Sequence, residues 1–270
     1  MVTADRAYAV ESLYFHPEQR LGASNKSLCR LLHVGGNCGT LRKKKGGAAM
    51  TYQAEREAIC QVGKLLYDRG YAAANDGNIS LLVEEDRLLI TPSGVSKGRM
   101  TPDMLLVTDL DGRVLEGDRH PSSEGKMHLA VYRGRPDVRA VVHAHPPVST
   151  AFAIRREGLE TPYLAELAAG LGTVPCTASF AMLSTQEVPE SVVPYLPDHN
   201  ALLLANHGAL AWGGNLWEAF DRLEVVEHTA KIVLNTRLLG GGVSLTAEEV
   251  ARLQGLRGMY QTLREVRKTT

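Results

Sequence analysis

The stretch Ala140-Val141-Val142-His143-Ala144-His145-Pro146 decides how the chain folds and what it does. It reads as an apolar strand ending in two histidines two residues apart, and side chains at i and i+2 of a strand share a face. Pro146 cannot donate to a ladder and stops the strand there. Two imidazoles aimed the same way from a strand end make half of a tetrahedral metal site. The plainer reading is a pair of partly buried histidines held in ordinary hydrogen bonds.

Working outward from this strand, which spans 138–145, the chain alternates strands and helices. Upstream, apolar side chains recur at helical spacing (Ile59, Val62, Leu65, Leu66) over 54–69, and Gly70 follows where a helix ends. Strands are predicted over 78–83, 87–91, 105–109 and 113–116, the last two joined by the hairpin signal Asp111-Gly112. A helix is expected from Ser122 to about Arg133, then others beginning near Pro147, over 164–171 and over 184–195. Two strands (201–206, 209–212), a long helix (216–239) and a last helix from Ala247 to about Leu263 complete the chain. Strands paired by local hairpins but covered by many helices predict an α/β fold: a three-layer α/β/α domain around a mixed, mostly antiparallel central sheet.

Composition narrows the partners. Lys plus Arg and Asp plus Glu are both 30, so no global charge draws the chain to nucleic acid or an anionic membrane surface, and any anion must be met locally. No apolar run approaches the roughly 20 residues that span a bilayer. Cys29, Cys38, Cys60 and Cys176 show no CxxC spacing and read as free thiols in a reducing, cytoplasmic setting. Residues 1–49 carry the basic run Arg42-Lys43-Lys44-Lys45 and no sustained apolar period before Gly46-Gly47. They are expected to be disordered, or an extension upstream of a native start at Met50, with residues 50–270 as the catalytic domain. A transit-peptide reading has only their basic, acid-poor middle in its favour.

Further segments carry chemistry. A second apolar strand runs into Asn206-His207-Gly208, where a histidine sits at a glycine break and suits a third ligand. Three neutral imidazoles leave a divalent cation its charge and an open position, as catalytic zinc needs. Pro121-Ser122-Ser123-Glu124 precedes a helical run: Ser122 reads as an N-cap, and two hydroxyls with free N–H groups at a helix start also make a phosphate site. Glu124 either complements the helix dipole or, beside a metal, acts as general acid/base. His128, four residues on, is placed to support it or to pack. The turns Asp76-Gly77-Asn78-Ile79-Ser80 and Thr91-Pro92-Ser93-Gly94 read as turn chemistry, with amide donors available to an anion. Gly94-Val95-Ser96-Lys97-Gly98 fits the G-x-S-x-G pattern, but Pro102 follows too soon for the helix a nucleophile elbow requires.

In this order, Gly77-Asn78-Ile79-Ser80, Ser93-Gly94, Ser122-Ser123-Glu124, His143-x-His145 and Asn206-His207-Gly208 resemble the class II aldolase/adducin family over about 54–240, and within it the fuculose-1-phosphate aldolases. The resemblance implies a homotetramer with sites between subunits. It implies zinc, with manganese or cobalt as substitutes, on His143, His145 and His207, and Glu124 as a residue that touches the metal and shuttles the proton. Asn78, Gly94, Ser122 and Ser123 match positions that bind substrate phosphate; Ser93 and Asn75 stand where members vary. The site-completing tyrosine has Leu164 in its slot, with Tyr163 one position earlier, and Tyr260 is a candidate for a C-terminal tyrosine. Epimerases of the family resemble Ser-Ser-Asp at the Glu124 segment and dehydratases Ser-Ala-Glu, so Ser-Ser-Glu favours an aldolase.

The expected reaction is cleavage of a ketose 1-phosphate to dihydroxyacetone phosphate and an aldehyde. The alternatives are another lyase, decarboxylase or epimerase on the same scaffold, and an adducin-like interaction domain, which would lack the ligand set. A zinc hydrolase of amidohydrolase type ranks last, because there HxH lies near the N-terminus of a longer chain of repeated βα units.

Overall fold

The structure, a computed structural model, describes residues 50–255. Helix α1 (Gln53–Asp68) buries the face formed by Ile59, Val62 and Leu66. It closes in a Schellman arrangement: Gly70, at φ 71°, donates to the Tyr67 carbonyl, and Tyr71 donates to that of Leu66. The carbonyl of Tyr71 then accepts from the His145 amide at 2.8 Å, so the helix cap ties down a candidate site residue.

Among the described residues, seven strands form one sheet: β1 (Asn78–Glu84), β2 (Arg87–Ile90), β3 (Leu106–Thr108), β4 (Val114–Glu116), β5 (Ala140–Ala144), β6 (Ala201–Leu204) and β7 (Gly208–Gly213). Their spatial order is β4-β3-β2-β1-β5-β7-β6 with every strand pair antiparallel, and one parallel bridge, Cys176 to Leu203, joins at the β6 edge. The sequence strand decides the centre as expected: β5 lies between β1 and β7 and all five of its residues are buried. It ends one residue before His145.

Helices cover both faces. On one side Ala140, Val142 and Ala144 of β5 pack into a core with α1, α3 (Pro147–Ile154), α4 (Ala165–Ala169) and α6 (Leu216–Leu238). On the other, Val141 joins Leu202, Leu210 and Trp212 beneath α2 (Gly125–Gly134) and α5 (Glu187–Val192). This is the three-layer α/β/α arrangement, each face of the sheet burying alternate residues against its own helices. No helix among the described residues is long and apolar enough to cross a membrane.

Three predicted helices are shorter than their sequence pattern, one of them only by its ends, α4 against the expected 164–171. The helix expected from Ser122 begins at Gly125, which corrects the N-cap assignment of Ser122. The cause is non-local: Pro92 and Pro121 form an antiparallel bridge, with Ser93 donating to His120 O and Ser122 to Thr91 O, and this holds the 121 segment extended. The helix expected over 184–195 is α5 followed by a 3-10 turn at Val193–Tyr195, where Pro194 removes a helical N–H. The last predicted helix is helical over 247–255, and the remainder of it lies outside the described residues. So do Cys29, Cys38, Tyr260 and the whole of 1–49; Cys60 and Cys176 are free thiols, burial pushing each up to about 11.

Candidate active site

The site gathers where β5 ends and β1 and β7 begin, on the α2 side of the sheet. His143, in β5, pairs in register with Asn78 on one neighbour and Leu210 on the other, so three hydrogen-bonded strands fix its backbone. His145 follows on the next same-side position. His207 occupies the turn between β6 and β7, where Asn206 takes φ 57° and the His207 amide bonds Leu204 O. Glycine is required beside it: a Cβ on Gly208 would lie 2.6 Å from both Ala144 O and His145 Cδ2.

These three histidines bring one nitrogen each within 4.8 Å of one another, and the Nε2 atoms of His143 and His145 are 3.1 Å apart. Tautomer logic orients the first of them. His143 Nδ1 faces the Ala209 carbonyl at 2.9 Å and so carries the proton, leaving the Nε2 lone pair turned into the cluster. Burial pushes the His143 imidazolium well below its usual range, Glu124 opposing, and burial likewise lowers His145. Three imidazole nitrogens this close together, that of His143 with its lone pair turned inward, are a donor set that a divalent cation takes. Asp76, 3.4 Å from His145 Nδ1, fixes that ring from outside in the manner of a carboxylate behind a metal-binding histidine.

Glu124 faces this cluster, its carboxylate oxygens 3.0 Å from His207 Nε2 and 3.5 Å from His143 Nε2. Burial alone would raise its carboxyl, but His143, His207 and the hydrogen bond from Asn78 outweigh that and hold it well below the ordinary carboxylate range. It is ionised at neutral pH. A fourth, oxygen donor therefore completes a set that fits a divalent metal.

What stands behind Glu124 is a buried polar relay built by two periodicities. Glu124, His128 and Tyr132 recur every four residues along one face of α2, and Asn78 and Ser80 alternate on the facing side of β1. Asn78 Nδ2 donates to Glu124 at 2.6 Å, which turns its Oδ1 toward His128 Nε2 at 2.5 Å. His128 Nε2 must then carry the proton, its Nδ1 accepts from Ser80 at 2.6 Å, and Ser80 accepts from Tyr132 at 2.8 Å. His128 and Ser80 are fully buried, and burial pushes His128 down to about 4, so the relay is neutral and every donor has a partner. His128 thus reaches Glu124 through Asn78.

On the other side of Glu124 a cavity of about 220 Å³ opens, bordered by Asn78, Ser93, Gly94, Ser122, Ser123 and the two accessible histidines. The Pro92–Pro121 bridge is what sets Ser93-Gly94 beside Ser122-Ser123. Ser122 Oγ, although not a helix cap, still lies 3.4 Å from the Glu124 amide. All five residues read from the sequence as phosphate contacts therefore border one space. Three that were not read border it too: Lys97, Leu183 and Ser184. Tyr163 does not line it; it packs on the core, its ring edge 3.4 Å from where a Cβ on Gly242 would stand. Ser96, in the rejected G-x-S-x-G pattern, precedes only a 3-10 turn at Lys97–Arg99, so no nucleophile elbow forms.

Fold and site together define an α/β/α domain that sets a candidate metal site beside a cavity lined by hydroxyls and amides. Residues 57–234 match the model of the family described as Class II Aldolase and Adducin N-terminal domain. The chain is 36% identical over 205 residues to a 5-deoxy-D-ribulose 1-phosphate aldolase of Bacillus thuringiensis, covering 76% of this chain and 95% of that protein. It is 35% identical over 213 residues to a 3-oxo-tetronate 4-phosphate decarboxylase of Escherichia coli K12, covering 76% and 98%. A solved L-fuculose 1-phosphate aldolase superposes with a TM-score of 0.71 at 33% identity, covering 77% of this chain and 98% of that one. The chain belongs to the class II aldolase family and is an enzyme of its lyase type.

Proposed function

We propose that the enzyme is a zinc-dependent aldolase that cleaves a ketose 1-phosphate, of the 5-deoxyribulose or fuculose 1-phosphate kind, to dihydroxyacetone phosphate and an aldehyde. The observation that carries the reading is the placement of Glu124, ionised, against three converging imidazoles on one side and the cavity on the other. His143, His145 and His207, with Glu124 in reach, would hold the metal, for which manganese or cobalt can substitute. The metal when bound supplies a Lewis acid that takes up negative charge developing on substrate oxygens.

The remaining work falls to the chain. Ser122, Ser123, Ser93, Gly94 and Asn78 bind the phosphate and thereby set the sugar carbons against Glu124. Cleavage breaks the C3–C4 bond as the C4 hydroxyl gives up its proton to the ionised Glu124 carboxylate and becomes the aldehyde carbonyl; the electron pair of the broken bond stays on C3, and Glu124, now carrying the proton, delivers it there. In the reverse direction Glu124 removes that proton, for which an ionised carboxylate held by Asn78 is suited. A homotetramer acting in the cytoplasm on a small sugar phosphate is part of the same reading and follows from the family resemblance. A second reading, decarboxylation of a 3-oxo sugar-acid phosphate, has in its favour the 35% identity to the Escherichia coli decarboxylase. It replaces the departing aldehyde by carbon dioxide and leaves the protonation of carbon unchanged.

Exchange of the C3 proton of dihydroxyacetone phosphate with deuterated water tests the reading without knowledge of the aldehyde. Glu124→Gln should keep its fold and zinc content while exchange falls by roughly 10²–10⁴-fold, the usual worth of a general acid/base. Undiminished exchange in the variant moves the proton to another residue. A wild type that exchanges no proton but releases carbon dioxide from 3-oxo-tetronate 4-phosphate would establish the decarboxylase instead.

A further inference from the structure

Lys97 is 2% exposed, and a buried ammonium requires an explanation. Its Nζ donates to two backbone carbonyls, Val95 at 2.6 Å and Asn75 at 3.2 Å. No carboxylate of the described residues forms an ion pair with it, although Asp76 and Glu124 are near enough to be felt. An ammonium has three N–H donors, so one donor and the whole charge remain uncompensated by a direct partner. The two carbonyls place it at the junction of two loops, 75–78 and 93–96, and Lys97 borders the same cavity as Ser93, Gly94, Ser122 and Ser123. Those neighbours are hydroxyls and amides. Among the residues bordering the cavity, Lys97 supplies the only lysine or arginine charge, while Asp76 and Glu124 are both acidic.

We propose that Lys97 is the charge partner of the substrate's phosphate: its third N–H and its buried charge meet the anion that the serine hydroxyls and Gly94 orient, making it a determinant of specificity for phosphorylated over unphosphorylated substrate. This rests on the sugar-phosphate reading of the cavity. A charge held by neutral carbonyls at the meeting of two loops is strengthened by its low-dielectric surroundings and costs no rearrangement when the ligand arrives. Burial lowers the ammonium to about 8, Asp76 and Glu124 opposing, so it is still cationic at neutral pH.

Binding of inorganic phosphate to the zinc-loaded, full-length protein, followed by calorimetry, reads this directly. Lys97→Met should weaken phosphate by about 10–100-fold, the worth of one charge-assisted hydrogen bond, with zinc content unchanged. In the exchange assay the same variant should raise KM for dihydroxyacetone phosphate by a similar factor with kcat within about threefold, since the contact exists before and during reaction. Phosphate affinity within about twofold of wild type overturns the proposal. So does a variant in which kcat and zinc content fall together with phosphate affinity, because Lys97 would then only staple the two loops. If Lys97→Met does not fold, a crystal of the wild type grown with inorganic phosphate decides: Nζ is expected within about 3.2 Å of a phosphate oxygen, and a phosphate bound away from Nζ refutes it. Absence of proton exchange in the wild type would sink the aldolase reading but leave the phosphate measurement valid.

Discussion

The two walls of the cavity are built differently. The histidine wall stands on strand ends at the centre of the sheet: His143 is locked between β1 and β7, His145 is tied to the cap of α1, and His207 is confined to a turn where Gly208 leaves no room for a Cβ. The wall proposed to hold the anion is made of loop backbone, Ser93-Gly94 against Ser122-Ser123, held by one isolated bridge between two prolines. A metal demands several donors at fixed distances, and only a ladder supplies that precision. A phosphate, with three equivalent oxygens, accepts hydroxyls and amides from several directions. Changes on the first wall should therefore be all-or-none, and changes on the second graded.

The largest effect is expected at His143. His143→Ala removes one of three imidazoles, and the strand around it stays paired because its register rests on backbone bonds. Zinc affinity should fall by about 10²-fold or more, with activity lost in parallel and the far-ultraviolet circular dichroism of the wild type retained. Zinc content equal to wild type after dialysis would remove His143 from the ligand set. It would also end the contrast between the two walls, since the most rigid residue of the site would then hold nothing.

An intermediate effect belongs to the relay that joins the walls. His128 is buried neutral, pushed from the ordinary histidine range down to about 4, whereas in the unfolded chain it titrates near 6.5. The unfolded state thus binds the extra proton between those values. Stability from this group is fully present above about pH 6.5 and is lost as pH falls toward 4, a change on the order of 3 kcal/mol for one such histidine. Buried His143 shifts in the same direction and adds to the slope in the metal-free protein. Urea unfolding of chelated protein at pH 7.5 and 5 should show it, with a shallower dependence in His128→Gln. Equal wild-type stability at the two pH values would mean that His128 is charged in the fold, and the hydrogen bonds from Tyr132 to Ser80 and from Ser80 to His128 would have to run the other way.

The same division explains what the sequence disclosed. The histidines were legible because each follows an apolar strand, and strand period 2 places i and i+2 together; Glu124 and His128 were legible because helical spacing of four places them on one face. The relay's middle was not, since the pairing of Asn78 with His128 depends on how β1 docks under α2, which no local pattern encodes. Lys97 carries no local signal for a related reason: in Ser96-Lys97-Gly98 it has no period, and only its burial beside the cavity marks it. The start of α2 was misplaced by three residues because capping chemistry at Ser122 is local, while the Pro92–Pro121 bridge that overrides it joins segments 29 positions apart in number, 92 and 121.

That misplacement makes Ser122 the residue on which the smallest expected effect turns. Had Ser122 capped α2, Ser122→Ala would cost about 1 kcal/mol of stability through an orphaned helix donor. In the structure the helix begins at Gly125, the Ser122 hydroxyl makes only a long 3.4 Å contact with the Glu124 amide, and its backbone bonds to Thr91 and Gly125 survive the substitution. Stability should therefore move by no more than about 0.5 kcal/mol, the range of a substitution that breaks no buried network. On the proposed reading, what the variant loses is one of several donors to the phosphate. KM for dihydroxyacetone phosphate in proton exchange should rise by roughly 5–20-fold with kcat nearly unchanged, because a neutral hydrogen bond present in ground and transition states alike contributes about 1–2 kcal/mol to both. A fall in kcat equal to that in kcat/KM would show that the Ser122 contact is made only in the transition state, and the anion wall would then share the all-or-none behaviour of the histidines.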